Sequence, residues 1–285
     1  LTKTTGGTLT LNNASTYSGQ TTVNQGTLLV NNSLLSPAGT ISFAPYRTGA
    51  LAANPVTDRV YAAKEDWPGI AVIAAKTNSE ITTVPTSGYH TGIAVDPIAN
   101  RVYVSQQFAS SVRVIDGTSN AVITDISVGG SPINDLAVNP NTNRLYVIRA
   151  NTNQIVVFNT LTNALVTTIP IASRADFITV DPGTNRVYAS RTSAHQVTVI
   201  DGATNTVLTD LPVGSYPNKI GIHAGTHRVY VPNGGSNTLS VIDGVVGSPT
   251  ENTVIATVPV GGWPIGVAVD EALNWVYVVH NAAST

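Results

Sequence analysis

FITVDPGTNRVYASRTSAHQVTVIDGATNTVLTDLPVG, residues 177–214, decides the fold. The alternating run FITV ends in Asp-Pro, and two small polar residues lead into NRVYAS. Strand, tight turn, strand is the reading, because Asp, Pro and Asn bend a chain through their own backbone preferences. After a polar loop, QVTVI and TVLTDLPV alternate again around Asp201-Gly202 and Thr204-Asn205, which predicts a second hairpin. Four short strands without helical periodicity make one antiparallel sheet.

The unit repeats along the chain. Tyr188 has counterparts in Tyr61, Tyr103, Tyr146, Tyr230 and Tyr277, in the strings DRVY, NRVY, NRLY, HRVY and NWVY, with successive spacings of 42, 43, 42, 42 and 47 residues. A constant period of this size means stacked copies of one supersecondary unit, and a four-stranded unit stacks into a propeller. The predicted class is all-β: a six-bladed β-propeller of four-stranded antiparallel blades with an N-terminal β-strand arm. The Asp-Pro hairpin occurs six times but the second hairpin only five times after it. TLLVNNSLLSPAGTISF (27–43) reads as the missing pair of strands. The expectation is a propeller over 26–285 whose last blade is closed by strands near 27–31 and 40–44, because closure removes an open sheet edge. Residues 1–25 are then left over as an arm.

Composition narrows the function classes. The 285 residues are 42% hydrophobic but only 11% charged, against about 25% for an ordinary globular chain, so Thr, Asn and Ser cover the surface. With a formal charge of −2 and no basic run, nucleic acid is a poor partner. No apolar run approaches the roughly 20 residues of a membrane-spanning helix. Cysteine is absent, which excludes disulfides and thiolate metal sites. The chain has no methionine and starts at Leu1, and this leads us to expect a processed product or fragment.

The strings VIDGATNTV (199–207), VGSYP (213–217) and IAVDPIANRVYV (93–104) resemble the YVTN family of β-propellers, found largely in bacterial and archaeal surface and secreted proteins. The resemblance runs over roughly residues 26–285 and implies a propeller on the cell surface or outside the cell. GGTLTLNNASTYSGQTTVNQGTLLVNN (6–32) resembles the autotransporter-associated β-strand repeat. A single copy has no neighbouring rung to bury its faces. Leu9, Leu11, Tyr17 and Val23 are therefore assigned to a self-assembly arm, which is expected to add to the blade edge of another copy.

Residues that recur once per blade read as framework. They are the tyrosines, Arg59, Arg101, Arg144, Arg186 and Arg228, and the bend acids Asp96, Asp116, Asp181, Asp201 and Asp243. His223 and His227 flank a hairpin turn where other repeats carry Asp and Asn, so they too read as turn residues rather than a metal pair. His90, His195 and His280 come from different blades, and a three-histidine site on one face stays open. No GxSxG, HExxH, P-loop or GxGxxG string is present, so no catalytic residue, metal ligand or cofactor is assigned.

Residues that break the repeat are the binding candidates. Alignment on the Asp-Pro turn makes Arg47, Tyr89, Pro132, Arg174, Tyr216 and Trp263 equivalent, in loops expected around the mouth of the central channel. Neighbouring loops add Trp67, Phe108, Arg149 and Arg191. Aromatic and Arg side chains that differ from blade to blade compose a recognition surface for a glycan or peptide. The function expected is a non-enzymatic extracellular structural or interaction module. It would self-assemble into a surface layer, filament or adhesin through the arm. The alternative is a secreted ligand-binding or enzymatic propeller with its site at the channel mouth.

Overall fold

The computed structural model describes residues 2–3, 8–12, 22–23, 27–31, 48–64, 69–130 and 132–281, backbone only before Ala50 and at Lys64. Among these residues five four-stranded antiparallel sheets follow one another in chain order. Sheet 1 holds Thr48–Asn54, Arg59–Lys64, Gly69–Ala74 and Ser79–Pro85; sheet 2 holds Ile93–Asp96, Arg101–Gln106, Ser111–Asp116 and Val122–Ser127. Sheet 3 holds Ile133–Asn139, Arg144–Arg149, Gln154–Asn159 and Leu165–Pro170; sheet 4 holds Phe177–Asp181, Arg186–Arg191, Gln196–Asp201 and Thr206–Pro212. Sheet 5 holds Gly221–His223, Arg228–Asn233, Thr238–Asp243 and Val254–Pro259, and a sixth sheet pairs Pro264–Asp270 with Trp275–His280. The first strand of each sheet contacts the first strand of the next, so the fold is propeller-like. No helix among the described residues is long and apolar enough to cross a membrane.

Local chemistry explains each hairpin. Asp96, Asp116, Asp181, Asp201 and Asp243 each accept backbone N–H groups two residues on, at Ile98, Thr118, Gly183, Ala203 and Val245. The asparagines that close the turns, among them Asn100, Asn120, Asn143, Asn185 and Asn205, sit at positive φ, which Asn tolerates better than most side chains. Each four-stranded sheet carries a register shift between its third and fourth strands, after Val72, Val114, Val157, Val199 and Val241. A bulge there increases the local twist.

Packing between sheets follows from the period of two. In the second strand of sheet 3, Leu145 and Val147 face back into the core shared with sheet 2, while Tyr146 and Ile148 face forward into sheet 4. Tyr61, Tyr103, Tyr146 and Tyr188 are all 0% exposed and fill the seams from sheet 1 to sheet 5. The arginines bind turns as the repeat suggests. Arg59 donates to Gly117 O at 2.6 Å and Arg101 to Thr160 O at 2.6 Å, while Arg186 and Arg228 pair with Asp201 and Asp243. A second latch joins the bends: Asn54 donates to Asn100 and Asn139 to Asn185, each at 2.7 Å. His227 and His223 occupy this latch. His227 Nδ1 lies 2.8 Å from Asp181 Oδ2, and His223 Nε2 lies 2.9 Å from Asn274 Oδ1. They face opposite neighbours, as turn residues would.

At the start of the chain, Thr27–Asn31 pairs in parallel with Thr8–Asn12, in register Thr8 to Thr27. Thr2–Lys3 likewise pairs in parallel with Thr22–Val23. The paired strands carry a shorter repeat, GTLTLNN (7–13) returning as GTLLVNN (26–32), so like pairs with like. The other expected closing strand, 40–44, lies outside the described residues. The sixth sheet has two strands among the described residues, and Tyr277 is 48% exposed where its counterparts in sheets 1 to 4 are fully covered.

The seam tyrosines allow a stability test. The Tyr146 hydroxyl is buried without a hydrogen-bond partner, and burial pushes its pKa up to about 12. Tyr146→Phe removes that hydroxyl and keeps the ring, so the unfolding midpoint should hold or rise, whereas Tyr146→Ala should cost about 3–5 kcal/mol. Denaturant titration of both variants checks this, and a large loss in the Phe variant would contradict it.

Candidate functional site

The loops that enter each new sheet carry the residues that break the repeat. Tyr89 and Phe108 meet edge to face with ring centroids 5.4 Å apart, and Gln107 N–H donates to Tyr89 O at 3.0 Å. Further round, Tyr216 lies between His195, at 5.2 Å, and Trp263, at 6.0 Å. Arg174 is exposed and pairs with Asp176 at 2.8 Å. Asp176 accepts the Thr192 N–H, and the Thr192 hydroxyl donates to Pro217 O, next to Tyr216. One chain of contacts thus links Arg174, Tyr216 and Trp263. Tyr89 and Phe108 form a separate pair.

The Tyr216–Trp263 pair is held by its backbone. Tyr216 has φ 54° and Trp263 φ 48°, the left-handed region that bulky side chains avoid. In the loops entering sheets 2 and 3, glycines take the positive φ instead: Gly88 and Gly130, both at φ 79°, just before the aligned Tyr89 and Pro132. Each aromatic is followed by a proline, Pro217 or Pro264, whose ring fixes the next step of the chain. The strained turns are tied down. Tyr216 N–H donates to His195 Nδ1 at 3.1 Å, Trp263 N–H to Asn237 Oδ1 at 2.8 Å, and Asn218 Nδ2 reaches both Tyr216 O and Pro264 O at 3.1 Å. Tyr216 is 47% and Trp263 46% exposed, so two large rings are presented rather than buried.

Three predicted positions have another role. Arg191 is 2% exposed and its guanidinium is spent inward on Asp210, at 3.0 Å, and on Gln196. It braces strands instead of offering donors to a ligand. Arg149 donates to Gly129 O at 2.8 Å and to Gln154 Oε1, tying down its own loop. His90 is 1% exposed. Its Nδ1–H donates to Ser105 O at 2.7 Å and its Nε2 accepts from Thr86 at 2.6 Å, so it belongs to the core and does not join His195 and His280 on a shared face. Arg47, Trp67 and Tyr17 lie outside the described residues. Leu9, Leu11 and Val23 lie on the parallel strands of the coil. The sequence marked Tyr216 and Trp263 as pattern breakers, but it missed His195, Asn218 and Asn237 as their supports. The signal available was the recurring Tyr-Pro and Trp-Pro dipeptide.

A family model described as a passenger-associated transport repeat matches residues 1–30. No curated protein matches the chain. Many solved structures share the fold, two of them as follows. A chain of Kuenenia stuttgartiensis hydrazine synthase superposes with a TM-score of 0.58 at 15% identity, covering 87% of this chain and 99% of that one. A functionally unknown protein from Desulfotomaculum acetoxidans superposes with a TM-score of 0.67 at 18% identity, covering 76% of this chain and 70% of that one. At these identities the likeness speaks for architecture alone.

Two measurements follow from this geometry. If strain at Tyr216 and Trp263 is offset elsewhere, glycine relieves about 1–3 kcal/mol per site. Tyr216→Gly and Trp263→Gly should then unfold at the same temperature as the parent or higher, and a clear fall in either would remove strain from the account. Burial, opposed by the hydrogen bond to Ser105 O and aided by the smaller effect of the Arg113 charge, lowers the His90 pKa below its usual value of about 6.5. The folded protein then resists protonation that the unfolded chain accepts. Stability present above about pH 6.5 is lost as pH falls through the depressed folded value. Melting curves between pH 8 and 5 should show this loss, and His90→Gln should flatten it.

Proposed function

We propose that the chain is a non-enzymatic extracellular interaction module: a propeller-like body carried behind a parallel β-coil that self-associates on a cell surface. The observation that carries this reading is the parallel pairing of Thr8–Asn12 with Thr27–Asn31, inside the segment that matches the passenger-associated transport repeat. A repeat named for transported passengers supports export, and the low charge of the chain suits a polar, weakly steering surface. Each strand of the coil has one partner among the described residues. The outer edges keep N–H and C=O groups that in-register stacking against the coil of another copy would satisfy. Such stacking replaces the addition of single arm strands to a blade edge, because strands already paired in parallel are not free donors.

A second reading rests on a different observation, the strained and exposed Tyr216–Trp263 pair. Strain kept at presented aromatic side chains supports a ligand-binding face at the mouth of the body.

Sedimentation velocity and electron microscopy on the full chain and on a chain lacking residues 1–31 separate the assembly reading from its rivals. The full chain should form concentration-dependent larger species, and the shortened chain should stay monodisperse and folded. A monodisperse full chain, or assembly that survives the deletion, would overturn it.

A further inference from the structure

We infer that Tyr216 and Trp263 form a stacking platform for a neutral glycan, a chain of uncharged pyranose sugars. This deepens the second reading above and rests on it. Two half-exposed rings with centroids 6.0 Å apart and planes inclined by 32° make one continuous aromatic surface. A pyranose has apolar C–H faces and a polar equator, so it needs a flat apolar floor and a rim that both donates and accepts hydrogen bonds.

The rim around the pair has that composition. Asn218 spends its amide nitrogen on Tyr216 O and Pro264 O, which leaves the side-chain oxygen as an acceptor. Asn237 spends its oxygen on the Trp263 N–H, which leaves two N–H donors. His195 accepts at Nδ1 from Tyr216 N–H, so its neutral ring carries the proton on Nε2 and offers a third donor. A sugar hydroxyl donates and accepts at once, and this mixture answers it. The side-chain hydrogen bonds and ring contacts of the pair come from His195, Asn218, Asn237 and each other, with no Asp, Glu, Lys or Arg among them, beside backbone donors at Gly234 and Asn281, and the nearby Arg174 is already paired with Asp176. That argues against a carboxylate, phosphate or cationic ligand, each of which needs a facing charge.

The platform is also rigid before binding. Left-handed backbone, a following proline and a tied N–H fix each ring, so little freedom is lost when a ligand stacks. A proline-rich peptide also docks on aromatic side chains, but it reads the rings through its own apolar edges and needs fewer rim donors.

Isothermal titration of the full chain with β-1,4-linked glucose and N-acetylglucosamine hexasaccharides tests the inference, with a ten-residue polyproline peptide as the competing probe. At least one hexasaccharide should bind saturably. Trp263→Ala and Tyr216→Gly should each weaken it about tenfold or more, as expected when a central aromatic anchor is removed. Trp263→Phe should retain most of the binding, and Ile98→Ala, at an exposed bend, should leave it unchanged. Sedimentation of the Trp263→Ala chain should match the parent, which keeps this test separate from coil assembly. Trp263-dependent binding of polyproline without sugar binding overturns the glycan and keeps the binding face. Failure of every probe to show Trp263-dependent binding overturns both.

Discussion

A four-stranded antiparallel sheet with apolar residues on both faces cannot bury itself. This constraint governs the molecule. In sheets 1 to 4 the forward face of the second strand carries a tyrosine that is wholly covered because another sheet lies against it, and in sheets 2 to 4 the backward face packs on the sheet before. Each of Tyr61, Tyr103, Tyr146 and Tyr188 is therefore a statement about its neighbour as much as about its own sheet. Where the described neighbour stops, at the sixth sheet, Trp275, Tyr277 and Val279 stand half exposed on the same pattern. Hydrophobic burial sets the order of the sheets, and polar latches then set their angular register: the arginines on turn carbonyls and the Asn–Asn and His–Asp bonds at the bends.

The division between framework and recognition follows from that stacking. Side chains used once per sheet to hold the next sheet are committed, however reactive they look. Asp181 and His227 make an acid–imidazole contact of 2.8 Å, yet they occupy the latch that two asparagines fill elsewhere. Arg191 shows the same logic from the other side: it breaks the repeat in a mouth loop, but burial and Asp210 absorb its charge. What stays uncommitted are rings whose backbone is strained and whose faces are open. Positive φ marks both kinds of position. In the hairpin turns it is served by asparagine at little cost, and in two loops between sheets it is imposed on Tyr216 and Trp263, whose rings stay about half exposed.

The coil at the start of the chain obeys a different rule from the body. Antiparallel hairpins pair residues close in sequence, whereas Thr8 and Thr27 pair in parallel from more distant positions. The body buries its apolar residues between successive sheets, in the clusters that join sheets 1 to 5.

By itself the sequence determined the repeat, the strands and the turns, because these depend on local alternation and on Asp, Asn, Pro and Gly at fixed offsets. It also determined which residues are framework, since a role repeated once per sheet leaves a period of about 42 residues that can be counted. It marked Tyr216, Trp263 and Arg174 as departures from that period, and placed His223 and His227 at turns. Only the tertiary structure decided which departures reach solvent. Arg191 and His90 turn inward because carboxylate, carbonyl and hydroxyl partners wait there, and those partners come from strands and loops whose approach no local pattern encodes. The pairing of Thr27–Asn31 was likewise a choice between two acceptable edges. A strand's alternation says which face it shows, but its edge hydrogen bonds carry no sequence, so the in-register pairing with Thr8–Asn12 is seen only in the tertiary structure.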